Sequence, residues 1–337
     1  MSLFTSNSRR RHTWRVMAGA IIFVVVFAGA YAAGDRCSRD RLIASYDNLT
    51  RQYPGFSFTD KYVGYGLGVE TLNHELYYYG TGASMANARA ADLLILGSSR
   101  ASMGFFPAEM DAFTRQSGLS YYNLGMGFQE GYLFSRELLR RHRLRPRFVV
   151  INADNFFSPR PTRFARRILR RTAWEHAKRS LEIYGEYFYY ARIRRWFPHF
   201  LPRARVPQGA ALPKGYAVFI SERTGSWQVV PPDYVKTEQR LTNRRPPDDI
   251  DPETLLEAWQ MVDGLRGHGA EVVLTVVPFD KANYQRAQML SERLQVQLIA
   301  PRLESVETWD GSHLTPAKAA EFTRRFLTAF DAYRNRQ

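Results

Sequence analysis

Short apolar segments alternate with amphipathic stretches along most of the chain, and this alternation limits its possible folds more than any other feature. The apolar segments have the length and composition of buried strands, and helix-start signals or helical spacing mark the stretches between them. Strands are predicted at 91–96, 121–124, 148–151 and 272–277, and helices at 107–117, 132–143, 252–267, 281–294 and 316–334. This pattern is typical of an α/β fold with a parallel sheet and helices on both faces.

Polar loops follow three of these predicted strands, at 97–100, 123–127 and 152–155. In a parallel sheet the carboxyl ends of the strands share one edge, and ligands bind beyond that edge. We therefore expect the functional side chains of these loops to lie together.

Two short motifs carry the residues of a catalytic triad. The first loop contains Gly97-Ser98-Ser99-Arg100, a tight turn that exposes a serine, and Asp310-Gly311-Ser312-His313 places a carboxylate three residues before a histidine. A serine nucleophile, a histidine base and an aspartate that orients the histidine form a triad in any chain order. Either motif alone also fits an ordinary turn or a helix cap, whereas the two together favour the triad.

The ordered motifs resemble those of the SGNH/GDSL hydrolase superfamily over about residues 91–329. The resemblance rests on Gly97-Ser98-Ser99, Asn123-Leu124-Gly125, Asn152-Ala153-Asp154-Asn155 and Asp310-Gly311-Ser312-His313. It implies an SGNH-like three-layer fold in which Ser99 is the nucleophile, His313 the base and Asp310 the residue that orients His313.

The same resemblance implies an oxyanion hole built from the glycine and asparagine motifs. Gly125 and Gly127 compete for the glycine position, because the spacing of the second glycine departs from the family pattern. Asn155 is the expected side-chain donor, since an ionised Asp154 would repel a developing oxyanion.

Two residues of the nucleophile motif also depart from the family. Ser98 replaces its aspartate and Arg100 replaces its leucine. The Gly-Ser-Ser form is similar to the exported, membrane-anchored subgroup that partners membrane-bound O-acyltransferases.

The N-terminus predicts a membrane anchor. Four arginines precede 16–34, nineteen residues without a charge that would span about 28 Å as a helix. Positive charge before the span keeps the N-terminus in the cytoplasm and places the rest in the periplasm, as in a single-pass inner-membrane protein. A cleaved signal peptide is the alternative. Asp35 and Arg36 do not fit a lipidation site at Cys37.

Positive charge is concentrated in one part of the chain. Between Arg136 and Arg205 there are nineteen Lys or Arg against five Asp or Glu, together with many aromatic residues, while the whole chain has a net charge of +15. Export argues against nucleic acid as the partner. A surface for anionic lipid, a groove for an anionic or sugar-rich polymer, and a solvated helical face remain open.

The expected organisation has four parts: a basic cytoplasmic segment at 1–15, the anchor at 16–34, a linker and N-terminal extension at 35–90, and a catalytic domain at 91–337. A basic aromatic insertion occupies about 156–250, and 35–90 is expected to form loops and short strands. The single cysteine and the scattered histidines predict neither a disulfide nor a metal site, and no cofactor is expected.

The expected function is O-acyl transfer to, or hydrolysis from, an extracytoplasmic polysaccharide through an acyl-serine intermediate, with acetyl as the expected group. The resemblance implies a membrane-bound O-acyltransferase as partner and a glycan as substrate. A plain exported esterase is one alternative. A non-catalytic scaffold subunit that uses the basic insertion for binding is another.

Overall fold

A computed structural model describes residues 62–65, 70–80, 83–127, 130–188, 217–230, 237–239 and 249–336. The predicted segments at 1–15 and 16–34 lie outside the described residues, as do parts of the predicted linker and insertion. None of the helices among the described residues is long and apolar enough to cross a membrane.

A five-stranded parallel sheet forms the centre of the fold. The sheet is made of β2 (Leu93–Leu96), β3 (Tyr121–Asn123), β4 (Phe148–Asn152), β8 (Glu271–Thr275) and β9 (Gln297–Leu298). The strand order is β3-β2-β4-β8-β9, so that β2 lies between β3 and β4, and Ile95 is opposite Asn123 on one side and Val150 on the other. The predicted parallel sheet is confirmed, and of its five strands β9 alone was not predicted from the sequence.

Helices cover both faces of this sheet, which explains why its inner strands are apolar along their whole length. Leu94 and Leu96 pack against one layer, whereas Leu93 and Ile95 pack against the other. The first layer contains α1 (Glu70–Tyr79), α2 (Ser84–Ala90), α5 (Tyr132–His142), α6 (Arg163–Leu169), α7 (Ala173–Phe188), α8 (Pro252–Arg266) and α9 (Tyr284–Leu294). The second contains α3 (Ser99–Gly104), α4 (Pro107–Ser117) and α10 (Pro316–Arg334).

Two small antiparallel sheets accompany the central one. β1 (Tyr62–Tyr65), β5 (Ala217–Ser221) and β6 (Trp227–Val230) form the first, in the order β1-β5-β6. β7 (Thr237–Gln239) and β10 (Val306–Thr308) form the second, and β10 leads into the Asp310 loop.

The expectation of loops and short strands at 35–90 fits β1 but not the region that follows it, which forms α1 and α2. In α1, Tyr77, Tyr78 and Tyr79 are buried in the core between the sheet and its first helical layer. Three consecutive tyrosines and the nearby glycines suggested strands and loops. Tertiary packing outweighed that local preference, because a helix here buries all three rings.

Candidate active site

Ser99 stands at a sharp turn between β2 and α3. Gly97 has φ 151°, and a Cβ there would lie 2.7 Å from the Cβ of Ala101 and 2.9 Å from that of Asn152. Only glycine fits such a turn without displacing its neighbours. Ser98 then caps α3, since its Oγ accepts a hydrogen bond from the Arg100 amide. The chain therefore leaves the carboxyl edge of the sheet with Ser99 as the first residue of α3.

The Asp310 loop is closed by its own hydrogen bonds. Asp310 Oδ1 accepts from the amides of Ser312 at 2.9 Å and His313 at 2.8 Å. The Trp309 amide donates to the His313 carbonyl at 3.0 Å. The chain then enters α10, which Thr315 caps through its side chain. These bonds fix the position of His313 before any substrate is present.

The structure brings Ser99, His313 and Asp310 together. His313 Nε2 lies 2.8 Å from Ser99 Oγ, and His313 Nδ1 lies 2.6 Å from Asp310 Oδ2. An ionised carboxylate only accepts hydrogen bonds, so Nδ1 carries the proton and Nε2 accepts from the serine hydroxyl. The three residues thus have the connectivity of a nucleophile, a base and an orienting carboxylate.

Asp310 is kept ionised by its hydrogen bonds. Burial alone would raise the pKa of this carboxyl group, but bonds from the His313 side chain and from two loop amides outweigh burial and lower the pKa below its ordinary value of 3.8. The indole of Trp309 stacks on the His313 ring, with centroids 5.5 Å apart and planes 19° apart. The imidazole is therefore held on its edge by Asp310 and on its face by Trp309.

Arg100 connects the loops around Ser99. Its guanidinium forms a buried ion pair with Asp154 and donates to Ser312 Oγ at 2.9 Å. The same group lies 4.1 Å from the centre of the Phe279 ring, where a cation–π contact forms. Arg100 thereby joins the nucleophile turn to the loop after β4, the loop after β8 and the Asp310 loop.

The two glycine candidates for the oxyanion hole differ in their amides. The Gly125 amide donates to Asn123 Oδ1 at 2.9 Å, so the single N–H group of Gly125 is already used within the chain. The Gly127 amide has no hydrogen-bond partner within the described part of the chain, and the residue is buried. Gly127 is consequently the glycine whose donor is open for a ligand.

Asn152 at the end of β4 and Asn155 in the loop after it also differ. Asn155 is exposed, in a left-handed conformation with φ 52°. Asn152 is fully buried and lies against Gly97; its Oδ1 accepts from the Val277 amide at 3.0 Å. The Asn152 Nδ2 group is buried without a hydrogen-bond partner among the described residues. A polar residue at the end of an apolar strand is the sequence signal for Asn152, which the structure adds as a second candidate donor beside Asn155.

Comparison with known proteins identifies no relative. Neither protein-family models nor curated proteins nor solved structures gave a match to this chain. Within the described ranges, no group of three or more His, Cys, Asp or Glu side chains is arranged to hold a metal ion.

Proposed function

We propose that the chain is a serine-dependent acyl-transfer enzyme with an SGNH-like fold. The observation that carries the proposal is the continuous hydrogen-bonded series from Ser99 Oγ through the His313 ring to Asp310 Oδ2. Most serine side chains have no imidazole nitrogen within hydrogen-bond distance. A serine that does, at a glycine turn on the carboxyl edge of a parallel sheet, has the position of an activated nucleophile.

The chemistry follows from these positions. His313 Nε2 takes the proton of Ser99 as Oγ attacks the acyl carbonyl carbon, and Asp310 stabilises the imidazolium that forms. The amides of Ser99 and Gly127, with an asparagine side chain from the carboxyl end of β4 or the loop after it, supply donors to the oxyanion. Loss of one such donor typically raises the barrier by about 3–4 kcal/mol. His313 then gives the proton to the leaving alcohol, and the acyl group remains on Ser99.

The acceptor decides between hydrolysis and transfer. Water attacking the acyl-serine gives an acid, whereas a polysaccharide hydroxyl gives a new ester, and His313 accepts the proton in either case. We infer acetyl transfer to or from an extracytoplasmic glycan, with a membrane-bound O-acyltransferase as donor partner. Support comes from the Gly-Ser-Ser motif and from the predicted N-terminal anchor at 16–34, which would leave this domain in the periplasm.

The test uses the full chain in detergent, a chromogenic acetyl ester and a serine-reactive fluorophosphonate probe. We expect wild type to hydrolyse the ester and to be labelled on Ser99. Ser99→Ala and His313→Ala should both abolish labelling, with turnover falling on the order of 10⁶-fold.

Two side chains of the same residue types provide matched controls. Ser98→Ala should keep labelling and turnover, since Ser98 caps α3 and its loss costs about 1 kcal/mol of stability. His268→Ala removes an exposed histidine and should change neither readout. If the wild type is folded but is neither labelled nor active, the proposal of an enzyme is rejected and the scaffold alternative is favoured.

A further inference from the structure

Large apolar side chains are exposed mainly on one part of the described structure. Four of the six such residues fall within α6 and α7 or the turn between them: Leu169, Trp174, Leu181 and Tyr184. Trp174 is 76% exposed and Leu181 67% exposed. These two are seven residues apart and therefore share one face of α7. We call the outer face of residues 163–184 the α6–α7 surface.

The inner face of α7 is fixed to the core. Ile183 is buried, Tyr184 Oη donates to the Tyr79 carbonyl at 3.1 Å, and His176 is hydrogen-bonded to Tyr79 Oη at 2.9 Å. Arg179 adds an ion pair with Glu75 of α1. Because these contacts fix the rotation of the helix, the exposure of Trp174 and Leu181 is a property of the packed fold.

The same surface carries cations without counter-charges. Arg167, Arg170 and Lys178 are exposed and form no ion pair within the described part of the chain. The nearby acids are engaged, since Glu182 pairs with Arg179 and Glu175 accepts from Thr172. Seven charged side chains line a groove of about 420 Å³ here: Arg167, Arg170, Arg171, Glu175, Lys178, Arg179 and Glu182. Five of these seven are basic, which suits a phosphate-bearing partner.

The other two exposed large apolar residues, Leu256 and Trp259, lie on α8 in a different electrostatic setting. α8 carries the acids Glu253, Glu257 and Asp263 and one base, Arg266. An anionic partner would be attracted to the α6–α7 surface and repelled from α8.

We propose that the α6–α7 surface docks on an anionic lipid bilayer. Trp174 and Leu181 enter the boundary between headgroups and acyl chains, and Arg167, Arg170 and Lys178 pair with lipid phosphates. Exposed tryptophan and leucine on one helical face, flanked by basic side chains, are the features of helices that lie in the membrane interface. This docking is independent of the triad and would fix the orientation of the domain relative to the bilayer.

The experiment uses the full chain in lipid nanodiscs. Cys37→Ser removes the native thiol, and Ala177→Cys places an environment-sensitive fluorophore on the exposed face beside Trp174 and Leu181. The reference fluorophore is attached at Gln260→Cys on α8, beside Leu256 and Trp259. Discs contain phosphatidylcholine alone or with phosphatidylglycerol, and nitroxide-labelled lipid reports contact with the bilayer.

We expect a blue shift and lipid quenching at position 177 in anionic discs only, reversed by high salt, with no change at position 260. Arg167→Gln/Arg170→Gln/Lys178→Gln should lower the docked-to-undocked ratio on the order of 100-fold, about five-fold per side chain. Arg324→Gln/Arg325→Gln/Arg336→Gln removes equal charge from α10 and the residues just after it, and should leave docking unchanged.

Three results would overturn the proposal. Absence of lipid quenching at 177 in anionic discs removes the bilayer as the occupant. Shielding at 177 in detergent shows that another segment of this chain, or a second copy if it depends on concentration, covers the surface. Equal quenching at 177 and 260 shows indiscriminate adsorption. Ester turnover in detergent should be the same in all these variants, so a failure of docking is separate from a failure of the triad.

Discussion

The polar groups at the carboxyl edge of the sheet are paired with one another, whereas the charged groups of the α6–α7 surface face solvent. At the edge, the hydroxyl, imidazole and carboxylate of the triad bond to one another, and loop amides hold the carboxylate. On the α6–α7 surface, three cations and two large apolar side chains face solvent without such partners among the described residues. A site whose groups satisfy each other is organised for chemistry before a ligand arrives, whereas unsatisfied groups on a fixed helix are organised to meet a partner.

The largest expected effect on the chemistry of the edge comes from a substitution at Asp310. Asp310→Asn keeps an oxygen that can accept from the loop amides, but its amide group no longer accepts the Nδ1 proton of His313. The imidazole would then adopt the wrong tautomer, and ester turnover should fall on the order of 10⁴-fold. Steady-state hydrolysis of the acetyl ester measures this, and Asp263→Asn on α8 is the exposed control. A loss below about ten-fold would mean that Asp310 does not orient His313.

Arg100 gives the next largest effect, on stability as well as turnover. Arg100→Leu leaves the buried Asp154 without its cation, and removal of one partner of a buried pair costs about 3–5 kcal/mol. The double variant Arg100→Leu/Asp154→Asn removes both charges and should recover most of that loss. Thermal unfolding of the detergent-solubilised chain measures both.

The pH dependence of the single variant identifies the cause. Burial raises the pKa of Asp154, and Arg100 offsets only part of that rise. Without Arg100, ionisation of the buried Asp154 carboxyl group destabilises the fold as pH rises above 3.8, the ordinary pKa of this group. The stability deficit of Arg100→Leu should therefore be large at pH 7 and small near pH 3. A deficit independent of pH would attribute the effect to lost packing against Phe279 instead.

The fold and the triad were predictable from sequence for a local reason. Apolar strands that end in glycine or polar turns, and caps such as Asp251 before Pro252, specify their structure within a few residues. α4 and α10 have the bounds expected from sequence, 107–117 and 316–334. Parallel connectivity then brings residues 99 and 313 to one edge without further information.

The parts that were not predictable depend on distant contacts. α1 forms where strands and loops were expected, because its tyrosines are buried by elements far along the chain. Which backbone and side-chain donors near Ser99 are already used within the chain depends on local hydrogen bonds, as at Gly125 and Asn152. The Asn123 side chain and the Val277 amide decide this, and neither bond is visible in motif spacing. Arg100 was recognised only as a departure, since its partners come from three other loops.

The smallest effect is expected at Glu75, which links the α6–α7 surface to the core. This buried carboxylate pairs with Arg171 at 2.7 Å and Arg179 at 2.6 Å, and so fastens α7 and the turn before it to α1. Glu75→Gln should lower the free energy of unfolding by about 1–3 kcal/mol at pH 7, less than at Arg100 because both arginines can still reach water. Glu304→Gln, at an exposed position, is the control.

The pH dependence of this loss has the opposite origin to that at Asp154. Burial would raise the pKa of Glu75, but its bonds to Arg179 and Arg171 outweigh burial and lower it below the ordinary value of 4.5. Its stabilisation is therefore complete above pH 4.5 and disappears as pH falls through the folded-state pKa, so wild type and Glu75→Gln should converge in acid. Ester turnover should not change at pH 7. If it fell together with stability, the α6–α7 surface and the triad would be coupled through α1, and the contrast between an independent chemical edge and an independent docking face would be wrong.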